Sequence, residues 1–341
     1  MDKDLKNKSF GESLEIATEH KQKSFFGKYL FEFIHQKNVN IIDDITPLSK
    51  LFRSQLIETG FLISQIDLLE QHDDPDGTIK FVFGLEGGTR IESVRLKDGD
   101  RNTLCISTQA GCRMGCKFCA TGQLEFQRNL TAAEIVDQVY QAERLCGRID
   151  NLVYMGMGEP LDNFDNVMRS VEILNDKHGR NIGIRHITIS TCGLPEEIKQ
   201  LALSPIRPRL AVSLHAPDDV IRAKIMRVGK KYHIKEILES LKKYQGATGK
   251  RVTIEYCMID GVNDQIGHAH SLTRLLRPLK VNVNLIELNP FPGCRYSASS
   301  PGQIQQFAKV LSDSGIETVI RFKRGRSIKA ACGQLGATWL K

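Results

Sequence analysis

Hydrophobic and polar residues are arranged along this chain in two different patterns, and the first covers about the first 76 residues. Here apolar side chains recur at helical spacing, which predicts amphipathic helices. One such run consists of Phe25, Phe26, Tyr29, Leu30, Phe33 and Ile34. A second run begins after Thr46-Pro47, a pair that suits a helix start. We therefore expect a helical N-terminal domain over residues 1–76, whose aromatic side chains pack inside it.

The second pattern is one of strands. Over residues 77–97, the segments TIKFVFGL and TRIESVRL are joined by Glu86-Gly87-Gly88 and predict a β-hairpin. From about residue 102, strands alternate with helices, such as those expected over 131–145 and 234–246. The strand candidates are residues 103–108, 151–157, 186–191, 209–215, 252–259 and 281–288.

Six strand–helix units predict an α/β fold with a parallel sheet, either open and doubly wound or closed into a barrel. In both cases the loops at the carboxyl ends of the strands form the active site. Unusual and polar residues fall at these ends. They are Cys112, Gly158-Glu159-Pro160, Ser190, Ser213-Leu214-His215 and Asn289-Pro290. This convergence predicts an enzyme.

Composition restricts the compartment and the partners. No apolar run approaches the ~18 residues of a membrane helix, and the charged N-terminus lacks the apolar stretch of a signal peptide. We therefore expect a cytoplasmic protein with no membrane partner. Nine cysteines is an odd number, which favours metal or thiol chemistry over a disulfide framework. The net charge of +7 is compatible with a nucleic-acid partner but does not require one.

Three cysteines form the most specific motif. Cys112, Cys116 and Cys119 have the spacing C-x3-C-x2-C, and Gly115 allows their loop to turn tightly. Three thiolates can hold a [4Fe–4S] cluster and leave one iron open. That iron can chelate S-adenosylmethionine (SAM) and pass an electron into its sulfonium, which gives a 5′-deoxyadenosyl radical. The alternative is zinc, which needs four ligands, and no second C-x2-C follows.

This spacing after a first barrel strand resembles the radical SAM superfamily. A narrower resemblance, to the RlmN/Cfr family that methylates an adenine carbon in RNA, runs from about residue 20 to 336. It is carried by TLCISTQAGC, CKFCATG, RNLT, MGMGEP, VSLHAP, IEYCMIDGVND, NPFPG and AACGQL. The resemblance implies a partial (β/α)6 barrel over residues 98–330, after an N-terminal RNA-binding domain and the hairpin. It also implies a segment over residues 331–341 that carries a methyl group.

The resemblance assigns roles to three further residues. Cys332 matches the methyl carrier, which takes a methyl group from one SAM while a second SAM provides the radical. Cys105 matches the cysteine that attacks Cys332 and releases the methylated base, leaving a transient disulfide. Glu92 matches a proton acceptor. Without the resemblance, both cysteines would pass for packing residues, and Glu92 for a surface carboxylate.

The resemblance also assigns the cofactor contacts. Those to SAM are Gly158, Glu159, Ser190, Ser213, Leu214, His215 and Asn289. The carboxylate of Glu159 is expected to accept from the SAM ammonium. Four cysteines match no role and are expected to be structural: Cys146, Cys192, Cys257 and Cys294.

Two groups of cations are candidates for RNA contact, although each could equally be a solvated face. The first lies within Arg321–Lys329, immediately before Cys332. The second consists of Arg222, Lys224, Arg227, Lys230, Lys231 and Lys235. The first departs from the family pattern, because Ser327-Ile328-Lys329 stands where relatives usually carry a run resembling D-I-D.

The implied partners are 23S rRNA, possibly tRNA, and a flavodoxin or ferredoxin as reductant. The leading hypothesis is methylation of adenosine at C2. Three alternatives stay open: C8 methylation as in Cfr, a radical SAM enzyme with a non-RNA substrate, and a zinc-stabilised RNA-binding module.

Overall fold

The first three helices of the computed structural model, which describes residues 2–321 and 324–340, form a small domain with its own core. They are α1 (Phe10–Glu19), α2 (Phe25–His35) and α3 (Lys50–Glu58). Ser9 and Glu12 form a capping box at the start of α1. The helix expected after Thr46-Pro47 begins later, because the Ser49 side chain accepts a hydrogen bond from Phe52 N and caps α3.

This domain is held against the first helix of the α/β part, α4 (Ala132–Cys146). Lys6 Nζ lies 2.7 Å from Asp137 Oδ1, and both side chains are almost fully buried. The other oxygen of Asp137 accepts from Ile66 N at 2.8 Å. His35 Nδ1 lies 2.8 Å from the Tyr140 hydroxyl. Polar groups buried on both sides are therefore satisfied only when the domain sits in this position.

The predicted hairpin is present but belongs to a larger unit. Its strands are β2 (Ile79–Gly84) and β3 (Arg90–Asp98), joined by a short 3₁₀ turn over Glu86–Gly88. The expectation that residues 1–76 are helical is wrong at its end, since β1 (Asp67–Asp73) pairs antiparallel with β2. The sequence DLLEQHD has no apolar stripe for a helix. Its charged side chains suit an exposed edge strand.

The α/β part contains seven parallel strands in the described residues, one more than predicted. They lie in chain order beside β3, which gives a mixed ten-stranded sheet in the described part of the chain. The seven are β4 (Arg101–Cys105), β7 (Asn151–Tyr154), β8 (Ile187–Thr191), β9 (Arg209–Ser213), β10 (Val252–Met258), β11 (Val281–Glu287) and β12 (Glu317–Ile320). A separate pair, β5 (Gln109–Ala110) and β6 (Arg128–Asn129), flanks the cysteine loop. The predicted partial barrel is confirmed.

Helices connect the parallel strands and cover the outside of the sheet. After α4 they are α5 (Phe164–Asn175), α6 (Pro195–Leu203), α7 (Asp219–Ile225), α8 (Ile234–Thr248), α9 (Ile266–Leu276) and α10 (Pro301–Asp313). The strands end two or three residues earlier than expected at Cys105, Tyr154 and Ser213. The residues after these ends therefore lie in loops, where they can face a common site.

Removing the carboxylate of Asp137 tests the contact between the two parts. In an Asp137→Ala variant, the ammonium of Lys6 is left buried without its partner, so the free energy of unfolding should fall by about 3–5 kcal/mol. Urea denaturation measures this. Asp313→Ala, which breaks an exposed pair with Lys309, should cost less than about 1 kcal/mol. Equal losses in both variants would contradict the role of the buried pair.

Candidate active site

Two adjoining clefts open at the carboxyl ends of the parallel strands. The first encloses about 970 Å³ including its opening to solvent, and the second about 930 Å³. Both are large enough for a small-molecule ligand. Predicted residues that line the first cleft are Cys112, Cys116, Cys119, Gly158, Glu159, Ser190, Ser213, His215, Asn289 and Cys332. Three predicted residues are absent from this lining: Leu214, Cys105 and Glu92.

The cysteine loop is packed so closely that glycine is required in it. Gly115 has a φ of +62°, and a Cβ there would lie 2.9 Å from Arg227 Nε. A Cβ on Gly122 would lie 2.6 Å from the carbonyl oxygen of Cys116. The backbone N–H of Lys117 donates to Ile225 O at 2.9 Å, which ties the loop to the end of α7. The three cysteines are thus held on one wall of the cleft.

Burial disfavours the ionised form of the three thiols. Burial raises the pKa of Cys112 to about 12 and raises the pKa of Cys119. The pKa of Cys116 is raised well above its ordinary value, by burial first and then by Cys119 and Cys112. Among the described residues, no three His, Cys, Asp or Glu side chains converge on a single ion. A cubane cluster instead takes each thiolate on a different iron and supplies the positive charge that deprotonates it.

The loop after β7 faces the cysteines and also depends on glycine. Gly158 has a φ of +98°, and a Cβ there would lie 2.5 Å from the Cβ of Gln109. The carboxylate of Glu159, expected to meet the SAM ammonium, already accepts from Leu161 N at 3.0 Å and Cys192 N at 2.7 Å. Glu159 therefore holds the loops after β7 and β8 together while its side chain lines the cleft.

His215 contributes a neutral ring to the first cleft. Its Nδ1 accepts from Cys257 N at 2.9 Å, and burial lowers the pKa of the imidazole to about 3. The ring of Phe118, from the cysteine loop, meets it edge-on. Leu214 is fully buried and does not line this cleft. Ser190 and Ser213 lie at the ends of β8 and β9.

Cys332 lies where the two clefts meet and lines both. It is exposed, whereas the other cysteines are buried or half-buried; all nine lie in the described residues. Its segment is hydrogen-bonded to the cysteine loop, since Ala120 N donates to Gly333 O at 2.7 Å and Thr121 Oγ1 to Leu335 O at 2.8 Å. Asn289 Nδ2 donates to the Cys332 carbonyl at 3.2 Å.

Cys105 is half-buried at the end of β4 and lines only the second cleft. Burial, followed by the charge of Cys332, raises the pKa of the Cys105 thiol to about 12. The structure thus brings together the two cysteines that the resemblance singled out, although 227 positions separate them in sequence (332 − 105).

Glu92 differs from the expectation of a surface carboxylate. It is 1% exposed and lines neither cleft. One carboxylate oxygen lies 3.1 Å from the buried Lys80 Nζ, and the other accepts from Gly336 N at 2.8 Å. Its carboxylate supports the C-terminal segment that carries Cys332. The expected role as a proton acceptor stays a prediction.

The first cation group is mostly paired with acids. Arg321 Nη2 lies 3.0 Å from the buried Glu255, Arg324 3.3 Å from Asp98, and Arg326 3.0 Å from Glu287. Phe322 and Lys323 lie outside the described residues. Arg321, expected as a candidate for RNA contact, lines the first cleft together with Glu255, which the sequence analysis missed. The acidic residue inside the buried strand pattern VTIEYCMI was the available signal for Glu255.

One residue of the second cation group, Arg222, is not available for RNA contact. Arg222 is fully buried and donates to the carbonyls of Cys192 and Tyr232, so it cannot contact RNA. The others are exposed: Lys224, Arg227, Lys230, Lys231 and Lys235.

Comparisons with known proteins agree with this site. The radical SAM superfamily pattern matches residues 106–272. A "Probable dual-specificity RNA methyltransferase RlmN" of Thermotoga neapolitana is 46% identical over 98% of this chain and 97% of its own. The protein of the same name from Staphylococcus haemolyticus is 42% identical over 96% of this chain and 91% of its own. The crystal structure of a radical SAM methyltransferase from Sphaerobacter thermophilus superposes with a TM-score of 0.92. It is 39% identical and covers 98% of this chain and 100% of its own.

A partial barrel with three cysteines at its strand ends, together with the superfamily match, defines a radical SAM enzyme. Within that class the relatives are specific: the chain belongs to the RlmN family. Membership implies a [4Fe–4S] cluster and SAM as cofactors. In the described residues, no helix is both long and apolar enough to cross a membrane.

Substituting Gly158 tests whether the loop after β7 shapes the SAM site. A Gly158→Ala side chain overlaps Gln109 and strains the backbone, so the affinity for SAM should fall at least about tenfold. Equilibrium dialysis of labelled SAM against the reconstituted protein measures this. Gly60→Ala is a matched control, because its φ is +87° and no atom lies within 4 Å of the added carbon. Unchanged binding in Gly158→Ala would remove this loop from the site.

Proposed function

We propose that this enzyme methylates C2 of an adenosine in 23S rRNA and in tRNA, with Cys332 as the methyl carrier. The observation that carries the proposal is the position of Cys332, which lines both clefts. The names of the relatives, dual-specificity RNA methyltransferases, support the class of substrate. An electron-poor adenine carbon cannot attack a methyl sulfonium, so the transfer needs a radical route, for which a cysteine can carry the methyl group.

The first cleft suits the cofactors. Cys112, Cys116 and Cys119 would hold the cluster, with SAM between them and the loop of Gly158 and Glu159. The remaining contacts to SAM would come from Ser190, Ser213, Leu214, His215 and Asn289. When bound, the cluster and two SAM molecules per turnover supply a carbon radical and the methyl group.

The protein's own contribution begins at the Cys332 sulfur. Its segment is fixed by backbone hydrogen bonds from Ala120 and by the amide of Asn289, so the sulfur keeps its place between the clefts. As S-methylcysteine, Cys332 would present its methyl carbon to a base in the second cleft. Such fixed positioning is worth several kcal/mol in a transfer between two bound groups.

Cys105 is placed to end the reaction. Its thiolate would attack the Cys332 sulfur, forming the S–S bond while the bond between that sulfur and the transferred carbon breaks. The electron pair stays on the carbon, which takes a proton and becomes the methyl group of the base. A thiol reductant must then supply two electrons to reopen the disulfide.

The second cleft suits a base removed from its stack. Its walls are largely apolar, and it contains both Cys105 and Cys332. The apolar lining residues are Val94, Leu96, Val153, Ile286 and Leu335. An enzyme that acts on a base carbon must extract that base, and an apolar pocket favours the extracted form.

RNA would approach from the side of the exposed cations near α7 and α8, with the N-terminal domain as the accessory RNA-binding unit. A flavodoxin or ferredoxin would supply the electrons, in the cytoplasm. Glu92 would act as the proton acceptor once its carboxylate has left Lys80 and Gly336.

Anaerobic incubation with labelled SAM, a reductant and 23S rRNA or tRNA tests the proposal. The wild type should yield 2-methyladenosine in the digested RNA. Cys332→Ala should abolish it, because no sulfur is left to carry the methyl group. Cys105→Ala should accumulate a covalent protein–RNA adduct, because release lacks its attacking thiol. Mass spectrometry measures all three products.

Cys146→Ala is the matched control, since Cys146 lines neither cleft and should keep activity within about twofold. Formation of 8-methyladenosine would overturn the C2 position. Full turnover by Cys332→Ala would overturn the methyl-carrier role.

A further inference from the structure

An ion pair between a buried carboxylate and a partly exposed guanidinium lies beside the two clefts, since the side chain of Arg321 is 35% exposed. Glu255, on β10, is 3% exposed, and its Oε1 lies 3.0 Å from Arg321 Nη2. The same oxygen accepts from Asn284 Nδ2 at 2.9 Å. Arg321 follows β12 directly, and its backbone N–H donates to Leu285 O at 2.9 Å. The guanidinium is therefore fixed at both ends, by the sheet and by the carboxylate.

The position of Arg321 is unusual among the charged groups of the site. In residues 2–321 and 324–340, it is the one arginine or lysine that lines both clefts. The ring of His215, in the first cleft, is neutral because burial lowers its pKa to about 3. Arg324 lines only the second cleft and pairs with Asp98 at the protein surface. Positive charge beside Cys332 therefore comes chiefly from Arg321.

Burying the carboxylate of Glu255 costs free energy, and an ion pair whose other partner is 35% exposed adds little to stability. Packing alone is thus a weak reason for Arg321 and Glu255 at this place. Oε2 of Glu255 has no hydrogen-bond partner among the described residues, so only one of the two carboxylate oxygens is hydrogen-bonded there. The neighbours of the guanidinium give a better reason.

Those neighbours are the two cysteines of the proposed reaction. The ionisable groups that line the second cleft with Cys105 are Cys119, Glu287, Arg321, Arg324 and Cys332. Burial raises the pKa of Cys105, and the charge of Cys332 raises it further, whereas a hydrogen bond with the Met155 backbone and then the charge of Arg321 lower it. Arg321 likewise opposes the rise in the pKa of Cys332. Negative charge on either sulfur is therefore stabilised by the same guanidinium.

We propose that Arg321, oriented by Glu255, is a positioning residue that keeps a positive charge beside Cys105 and favours the anionic sulfur that attacks Cys332. This inference rests on the proposed function, since it concerns the release of the methylated base. Arg321 is not required to contact the RNA. Cys105 and Cys332 are far apart in the chain, but both line the second cleft together with Arg321. One guanidinium can therefore act on both sulfurs.

The expected size follows from thiolate chemistry. Lowering a thiol pKa by one unit increases the thiolate about tenfold and reduces its intrinsic nucleophilicity roughly threefold, so the net gain is about three- to fourfold. This gain applies while the thiol pKa lies above the ambient pH. Cys105 meets that condition, because burial raises its pKa to about 12.

The test is the alkylation of Cys105 by iodoacetamide in the anaerobic, cluster-loaded full-length protein, followed by peptide mass spectrometry from pH 6.5 to 9.5. Arg321→Met should slow alkylation at least about threefold at pH 8 and move the pH profile to higher pH. Arg321→Lys should restore most of the rate, because it keeps the charge. Arg324→Met is the matched control and should stay within about twofold.

A second variant separates this role from a structural one. If Arg321 only neutralises Glu255, the double variant Glu255→Gln/Arg321→Met should recover the wild-type alkylation rate, and that result would overturn the inference. If the inference holds, the double variant stays slow. An unchanged rate in Arg321→Met, with weaker RNA binding instead, would assign the guanidinium to RNA and also overturn it.

A turnover measurement keeps the two proposals apart. With RNA present, Arg321→Met should still produce 5′-deoxyadenosine but accumulate the protein–RNA adduct. A wild type that methylates no RNA would refute the proposed function, whereas alkylation of Cys105 would still report on Arg321. A methylating wild type and an Arg321→Met variant that releases its product equally fast would refute the inference alone.

Discussion

The site depends on the way the C-terminal segment is hydrogen-bonded across the cysteine loop. The backbone of Ala120 and the hydroxyl of Thr121 donate to the carbonyls of Gly333 and Leu335, both of which closely follow Cys332 in the chain. These bonds join a loop that precedes most of the barrel to a segment that follows all of it. The same contact that closes the fold therefore sets the distance between the cysteine loop and Cys332. Without this segment, the wall that the two clefts share would lack Cys332 and Gly333.

Burial determines the charge state of the site. The cysteines, Glu159 and His215 all lie where their charged forms are disfavoured, and the pKa of each is shifted accordingly. In such surroundings one fixed cation has a larger effect than it would in water. The ion pair of Arg321 and Glu255 therefore matters because it keeps a guanidinium beside both clefts, and not because it stabilises the fold. A nearby positive charge favours the anionic form of a reactive sulfur, and Arg321 lines both clefts.

The sequence predicted best what depends on local spacing. The cysteine motif, the order of the barrel strands and the hairpin strands all come from short patterns, and the structure contains them. It predicted poorly what depends on distant partners. β12 is only four residues long and mostly exposed, so it has almost no apolar pattern. The burial of Glu92 depends on Lys80 and Gly336, neither of which a sequence pattern identifies as its neighbour.

The departure from the family pattern at residues 327–329 has a physical explanation in the hairpin. Where relatives carry acidic residues, this chain has Ser327, whose hydroxyl donates to Asp74. Asp76, two residues further on, accepts from Gly325 N at 2.9 Å. Acidic groups next to the segment are thus supplied by the turn between β1 and β2. Arg326 is accommodated by Glu287 and by the Asn289 oxygen at 3.0 Å, and the Asn289 amide donates to Cys332 O. The contacts that fix Cys332 are made by the backbone and by neighbouring loops, so they remain although the residues at 327–329 differ from the family pattern.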